Sequence, residues 1–152
     1  MNPLKDVTGA WTGTASFRMM PTDEFAEGAA TASSDSEAAG WGWSLRYTWV
    51  HAEDGEQSGL LLVASPTDDG AITAAWIDSW HQKPYLQAFT GTFTEGVVDV
   101  SAEYAPGWVW RIVVGPEGDG LRMVMHNAVP EGHGDFAGSY PVMEFALARS
   151  RG

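Results

Sequence analysis

The chain has no cysteine. That excludes a disulfide framework, a zinc ribbon and a thiolate nucleophile. Positive charge is also scarce: eight Lys plus Arg against twenty Asp plus Glu give a net charge of −12. A nucleic-acid binder needs a basic footprint to neutralise phosphates, and an anionic membrane surface asks for the same. Neither partner is expected. No apolar run approaches the length of a membrane span. The segment Met1 to Trp11 lacks the basic start and apolar stretch of a signal peptide, and a cytoplasmic location is expected. The four histidines, at 51, 81, 126 and 133, show no HxH, HxxxH or HExxH spacing, so no metal site is expected from sequence motif. No serine sits in a GxSxG elbow. The glycine-containing run from Gly115 to Gly120 precedes no helical pattern and reads as a turn, not a phosphate loop.

What the chain does have is tryptophan, eight in 152 residues, together with eighteen glycines and eight prolines. Trp supplies a large apolar area and one N–H that needs a partner. So many of them point to a bulky core or an aromatic-lined cavity. The length suits one domain, taken as residues 1–152.

Alternation with a period of two recurs along the chain, and helical periodicity does not. In Thr8 to Arg18, Gly9, Trp11, Gly13, Ala15 and Phe17 share one face. Trp41, Trp43, Leu45, Tyr47, Trp49 and His51 alternate along a second strand. Asp54-Gly55, Asp69-Gly70, Glu95-Gly96 and Pro106-Gly107 are turn signals. They separate strands over 58–65, 71–80, 85–93, 97–104, 108–114, 121–129 and 140–149. Residues 19–36 are rich in Ala, Ser, Thr, Asp and Glu with little apolar period. They read as a long loop that could lie over one barrel mouth as a lid. About nine strands at short, even spacing predict an all-β fold, an antiparallel up-and-down barrel of about 8–10 strands, closed so that no edge is exposed.

Gly9-Ala10-Trp11-Thr12-Gly13-Thr14 resembles the GxWxGxG-type opening of lipocalin-like (calycin) barrels. The resemblance implies that Trp11 packs at the closed end under a basic residue of the last strand. Arg149 is in phase with Met143, Phe145 and Leu147 and is the natural candidate, with Arg151 second. Ala75-Trp76-Ile77-Asp78-Ser79, with the hairpin after it, is similar to the Trp-Ile-Asp strand of a bacterial lipocalin-like family of unknown function. That likeness implies a barrel of about ten strands and no agreed activity. Nitrobindin-like haem proteins share the opening and place a haem-ligating His just after a Pro in the last strand. Here Pro141 is followed by Val142 and Met143, so no cofactor is expected by that route, Met143 being the one residual iron ligand.

With the Trp11 face inward, the polar residues in phase with buried neighbours mark a candidate site. Asp78 lies between Trp76 and Trp80, His51 follows Trp49, Gln87 lies between Tyr85 and Phe89, and Asn127 follows Met123 and Met125. Trp76, Asp78, Trp80, Gln87, Asn127, His51 and Tyr47 are the expected ligand contacts. The first expectation is a protein binding a small, mostly apolar and planar molecule inside the barrel. The second is an enzyme, a lyase, isomerase or hydrolase, using Asp78 with His51 as acid–base partners. The third is a partner-binding barrel whose interior is filled by side chains. The aromatic ladder from Trp41 to Trp49 reads as a cavity lining or as core or subunit interface, as do Trp108 and Trp110, and pairing through aromatic outer faces makes a homodimer a fair expectation.

Overall fold

The computed structural model describes residues 4–150. Ten strands follow in sequence: β1 (Gly9–Phe17), β2 (Ala26–Glu37), β3 (Gly42–His51), β4 (Gly55–Ala64), β5 (Ala71–Asp78), β6 (Gln82–Thr94), β7 (Val97–Ala105), β8 (Trp108–Glu117), β9 (Gly120–Val129) and β10 (Gly138–Arg149). Each pairs antiparallel with its neighbour in sequence, and β1 pairs with β10 to close the barrel. This is an all-β, antiparallel, up-and-down closed barrel, consistent with a calycin-type fold. Among the described residues no helix is long and apolar enough to cross a membrane.

The stretch 19–36 is not a long loop. Residues 26–37 form β2, and only 18–25 connect it to β1. Its inward positions are Ala30, Ala32 and Ser34, all buried. Small residues are needed there because the barrel interior is occupied by Trp11, Trp43, Tyr47 and Trp49. The alternation is real, but Ala and Ser carry too little hydropathy to display it. The short connection is fastened rather than lid-like. Arg18 Nε donates to the Pro141 carbonyl at 2.9 Å and Nη1 to the Pro21 carbonyl at 3.1 Å, while the Tyr140 hydroxyl donates to the Met19 carbonyl at 2.7 Å.

One barrel end collects the start of β1 and the end of β10. Trp11 is buried there, with the Arg149 guanidinium 4.4 Å from its ring centroid. The indole N–H donates to Ser34 Oγ at 3.1 Å, and Ser34 in turn donates to the Val7 carbonyl. Arg149 Nη1 donates to the Thr8 carbonyl at 2.8 Å, so one side chain covers the ring and ties the chain before β1 to the last strand. Gly13 is required by close approach, since a Cβ there would lie 2.1 Å from the Ala146 carbonyl oxygen. Arg151 lies outside the described residues. Arg149→Leu is expected to cost roughly 2 kcal/mol, from the cation–π contact and the charged hydrogen bonds to carbonyls. Urea denaturation measures it, and a loss below a few tenths would assign the closure to Trp11 alone.

Candidate functional site

The opposite barrel end gathers the end of β5, the start of β6, the end of β3 and the end of β7. Asp78, the last residue of β5, is buried to 1 % exposure. Its Oδ2 accepts from the Tyr47 hydroxyl at 2.6 Å and from Trp49 Nε1 at 3.2 Å. Its Oδ1 accepts from the backbone N–H groups of Trp80 and His81, each at 2.8 Å. Trp76 Nε1 donates to the Tyr47 oxygen at 2.8 Å, so one indole, one phenol and a turn end on the carboxylate and a second indole ends on the phenol. Burial, then the neighbouring Asp78 charge, holds the Tyr47 hydroxyl well above the usual tyrosine range and keeps it protonated as a donor. Gly59 opposes Tyr47 in the β3–β4 ladder, and a Cβ on it would strike the phenol oxygen at 2.2 Å. The glycine makes room for the ring that reaches Asp78.

Strand phase offers Asp78 the side chains of His51, Gln87 and Asn127 and the indole N–H groups as partners; an indole, that of Trp49, donates to it, and the other three side chains do not. His51 Nδ1 accepts from the backbone N–H groups of Glu53 and Asp54, both at 3.1 Å, because the hairpin after β3 folds back over it. Its ring stacks on Trp80 at 4.8 Å. The Asp78–His51 hydrogen bond expected for acid–base work is therefore not formed. Asn127 Oδ1 accepts from the Tyr104 hydroxyl at 2.6 Å. Gln87 Nε2 donates to the Ala88 carbonyl, one residue on. Trp80 lies beyond β5, in the turn at 79–81, so strand phase does not place it. It packs edge-on to Phe17 at 5.1 Å, and its indole N–H donates to Asp54 at 2.9 Å.

The residue that sequence phase did not single out is His81. It sits in the same turn, and its ring lies between two indoles: stacked on Trp49 at 5.3 Å and 20°, and on Trp76 at 6.3 Å and 30°. Trp110 at 5.2 Å and Phe17 at 5.4 Å complete an aromatic cage. Its Nε2 is 2.9 Å from the sulfur of Met143. Desolvation outweighs the opposing pull of Asp78 and lowers its pKa from 6.5 to about 4, so the ring is neutral at physiological pH.

The barrel wall is thin beside this cage. β6 pairs with β7 only from Thr90↔Ser101 to Thr94↔Val97. On its other edge the β5–β6 register shifts between Trp76↔Gln87 and Asp78↔Gln82, which leaves the intervening β6 residues bowed outward. Pro84, with no N–H to donate, lies in that segment. Tyr85 and Leu86 stand exposed on it. Through the gap opens a cleft of about 160 Å³, lined by Trp76, His81, Gln82, Gln87, Tyr104 and Trp110. Trp110 Nε1 is buried there without a hydrogen-bond partner. The indole N–H of Trp43 also lacks one, but the space beside that residue is about 10 Å³, at most one water. Tyr47, Trp49, Trp76, Phe89 and Phe145 fill the barrel interior around Asp78. Among the described residues no cluster of three or more His, Asp or Glu could hold a metal ion.

No family model matches this chain, and no curated protein matches it.

Proposed function

We propose that the chain is a lipocalin-like binding protein that takes a small, uncharged, ring-sized molecule through the gap between β6 and β7. The observation that carries this reading is the orphaned Trp110 indole N–H in the cleft wall. A buried donor without a partner costs about 1–3 kcal/mol, and a ligand acceptor placed against it recovers that cost. The size of the cleft narrows the ligand. Drug-sized sites run to roughly 300–1,000 Å³, whereas about 160 Å³ suits one or two fused rings. The cleft wall is aromatic, with Trp110 stacked on Trp76 at 5.6 Å beside His81, while Gln82, Gln87 and Tyr104 bring polar groups to the lining. A charged ligand would lose its hydration without finding an opposite charge in the cleft wall.

A panel of neutral aza-aromatic and aromatic carbonyl compounds of one or two rings tests this by 15N-resolved NMR. The Trp110 indole resonance, assigned with Trp110→Phe, is expected to shift saturably, and Trp110→Phe is expected to weaken binding about tenfold, the equivalent of roughly 1.4 kcal/mol. Binding that leaves that resonance unmoved, or no saturable binding across the panel, would overturn the proposal.

A further inference from the structure

A groove of about 580 Å³ lies on the outer face of β2 to β5 and reaches Lys83 of β6. It shares no lining residue with the cleft beside β7. Strand register explains its form, because side chains of opposed residues stand side by side. Ser33, Arg46, Leu60 and Ile77 oppose one another in turn across four strands. Two residues along, Thr31, Thr48 and Ser58 make a second outward row, with the Thr31 and Thr48 hydroxyls 2.6 Å apart. Hydroxyl side chains are short, so this row is a trough beside the longer Arg46, Leu60 and Ile77. Ile77 falls within the β5–β6 register shift, and the β6 residues bowed outward opposite it begin with Lys83. Leu60 and Ile77 are half-buried, while Arg46 and Lys83 are exposed. The outer row therefore runs cation, apolar, apolar, cation.

Charge sets this groove apart from the rest of the surface. Arg18 and Arg149 donate to backbone carbonyls, and Arg111 and Arg122 pair with carboxylates. Among the described side chains, Arg46 and Lys83 are the two cations with no hydrogen bond or ion pair. Both line the same groove, in a chain with a net charge of −12. Asp78 is the one acidic residue in the lining, and it is buried with both carboxylate oxygens taken by four donors. We propose that the groove binds an elongated organic dianion, a dicarboxylate with an apolar middle. Arg46 takes one carboxylate, Lys83 takes the other, and the hydrocarbon lies along Leu60 and Ile77. A guanidinium fork matches a carboxylate bidentately, and an ammonium binds one as a point charge. Three strand spacings put β3 and β6 roughly 14 Å apart. Both side chains are long enough to close part of that distance, which selects a chain over a compact ion. The volume of about 580 Å³ suits a small molecule, since such sites run to roughly 300–1,000 Å³.

Straight-chain dicarboxylates of increasing length are the probes. Isothermal titration of the full chain is run at low ionic strength, because salt screens exposed charges. One-to-one binding is expected, tightest at an intermediate length. The monocarboxylate of that length is expected to bind about fivefold more weakly, the equivalent of one exposed ion pair at its upper range. Arg46→Gln and Lys83→Gln are each expected to lower dicarboxylate affinity by about the same factor. The Lys83→Gln protein is expected to bind the monocarboxylate and the dicarboxylate alike. Both side chains are exposed, so the circular dichroism spectrum stays unaltered in both variants. Arg122→Gln removes a positive charge outside the groove and leaves the affinity unchanged, which separates the groove from net charge. Trp110→Phe leaves it unchanged as well, so ring binding in the cleft is read independently. No saturable binding, or binding indifferent to both Arg46→Gln and Lys83→Gln, would overturn the proposal. So would inorganic phosphate or an acidic peptide binding as tightly as the best dicarboxylate.

Discussion

Replacing Asp78 with alanine is expected to destabilise the fold by on the order of 4 kcal/mol or more, a size reached only when a buried network is broken. The count of donors explains it. The Tyr47 hydroxyl, the Trp49 indole and two backbone N–H groups all end on this carboxylate, and Trp76 ends on Tyr47. Each stranded donor costs about 1–3 kcal/mol by itself, though the sum is not additive because water can enter the vacated space. Asp78→Asn keeps one acceptor oxygen but turns an amide N–H₂ toward donors, and it is expected to lie between wild type and alanine. Tyr47→Phe leaves Asp78 three donors and strands only Trp76, so its cost is expected near 1–2 kcal/mol. Chemical denaturation of the three variants supplies the ranking. If Asp78→Ala costs under 1 kcal/mol, the carboxylate is not the organising centre of this barrel end, and its burial needs another explanation.

That network also shows how far residue pattern reaches. Phase alone brings Asp78 inside, because Trp76 two residues earlier is too large and apolar to face water. The strands with contrasting side chains follow the same logic, from Trp43 to Trp49 on β3 and from Met143 to Leu147 on β10. β2 escapes it because Ala30, Ala32 and Ser34 differ little in hydropathy from the Thr31 and Ser33 that alternate with them. What those small residues accommodate is on other strands, and no local window contains both. His81 escapes for a different reason: it belongs to a turn, where side-chain direction has no period. A local signal for that turn does exist. An Asp at the end of a strand readily accepts from the N–H groups two and three residues on, as Asp78 does from Trp80 and His81. The gap beside β7 likewise has a marker in Lys83-Pro84, a proline within a strand run. Pairing between distant donors and acceptors, Tyr47 with Asp78 or Tyr104 with Asn127, has no such marker. It depends on barrel curvature and on register shifts, which occur between Trp76 and Asp78, between Glu103 and Ala105, and between Pro141 and Met143.

Lowering the pH from 7 to 4.5 is expected to remove on the order of 2–3 kcal/mol of stability through His81 alone, at about 1.4 kcal/mol per pKa unit. In the folded chain desolvation holds this ring neutral until about pH 4, against an ordinary 6.5 in the unfolded chain. Between those values the unfolded state carries the extra proton, so stability rises with pH across the window and is complete above 6.5. Acidification therefore draws the chain toward unfolding before most carboxylates titrate. His126 acts in the same direction, its pKa lowered by desolvation and by Arg111. Asp99, lowered by its hydrogen bond from Arg111, gives up its contribution only at more acidic pH, since even its unperturbed value is 3.8. His81→Phe separates these contributions. A phenyl ring suits the cage of Trp49, Trp76 and Trp110 but cannot take a proton. Urea unfolding at pH 7 and pH 4.5 is then expected to show a large loss in the wild type and a loss smaller by about 2–3 kcal/mol in the variant, by the same linkage. Equal losses in both proteins would mean that His81 protonates in place without strain. The cage would then already tolerate a positive charge supplied by the ring itself.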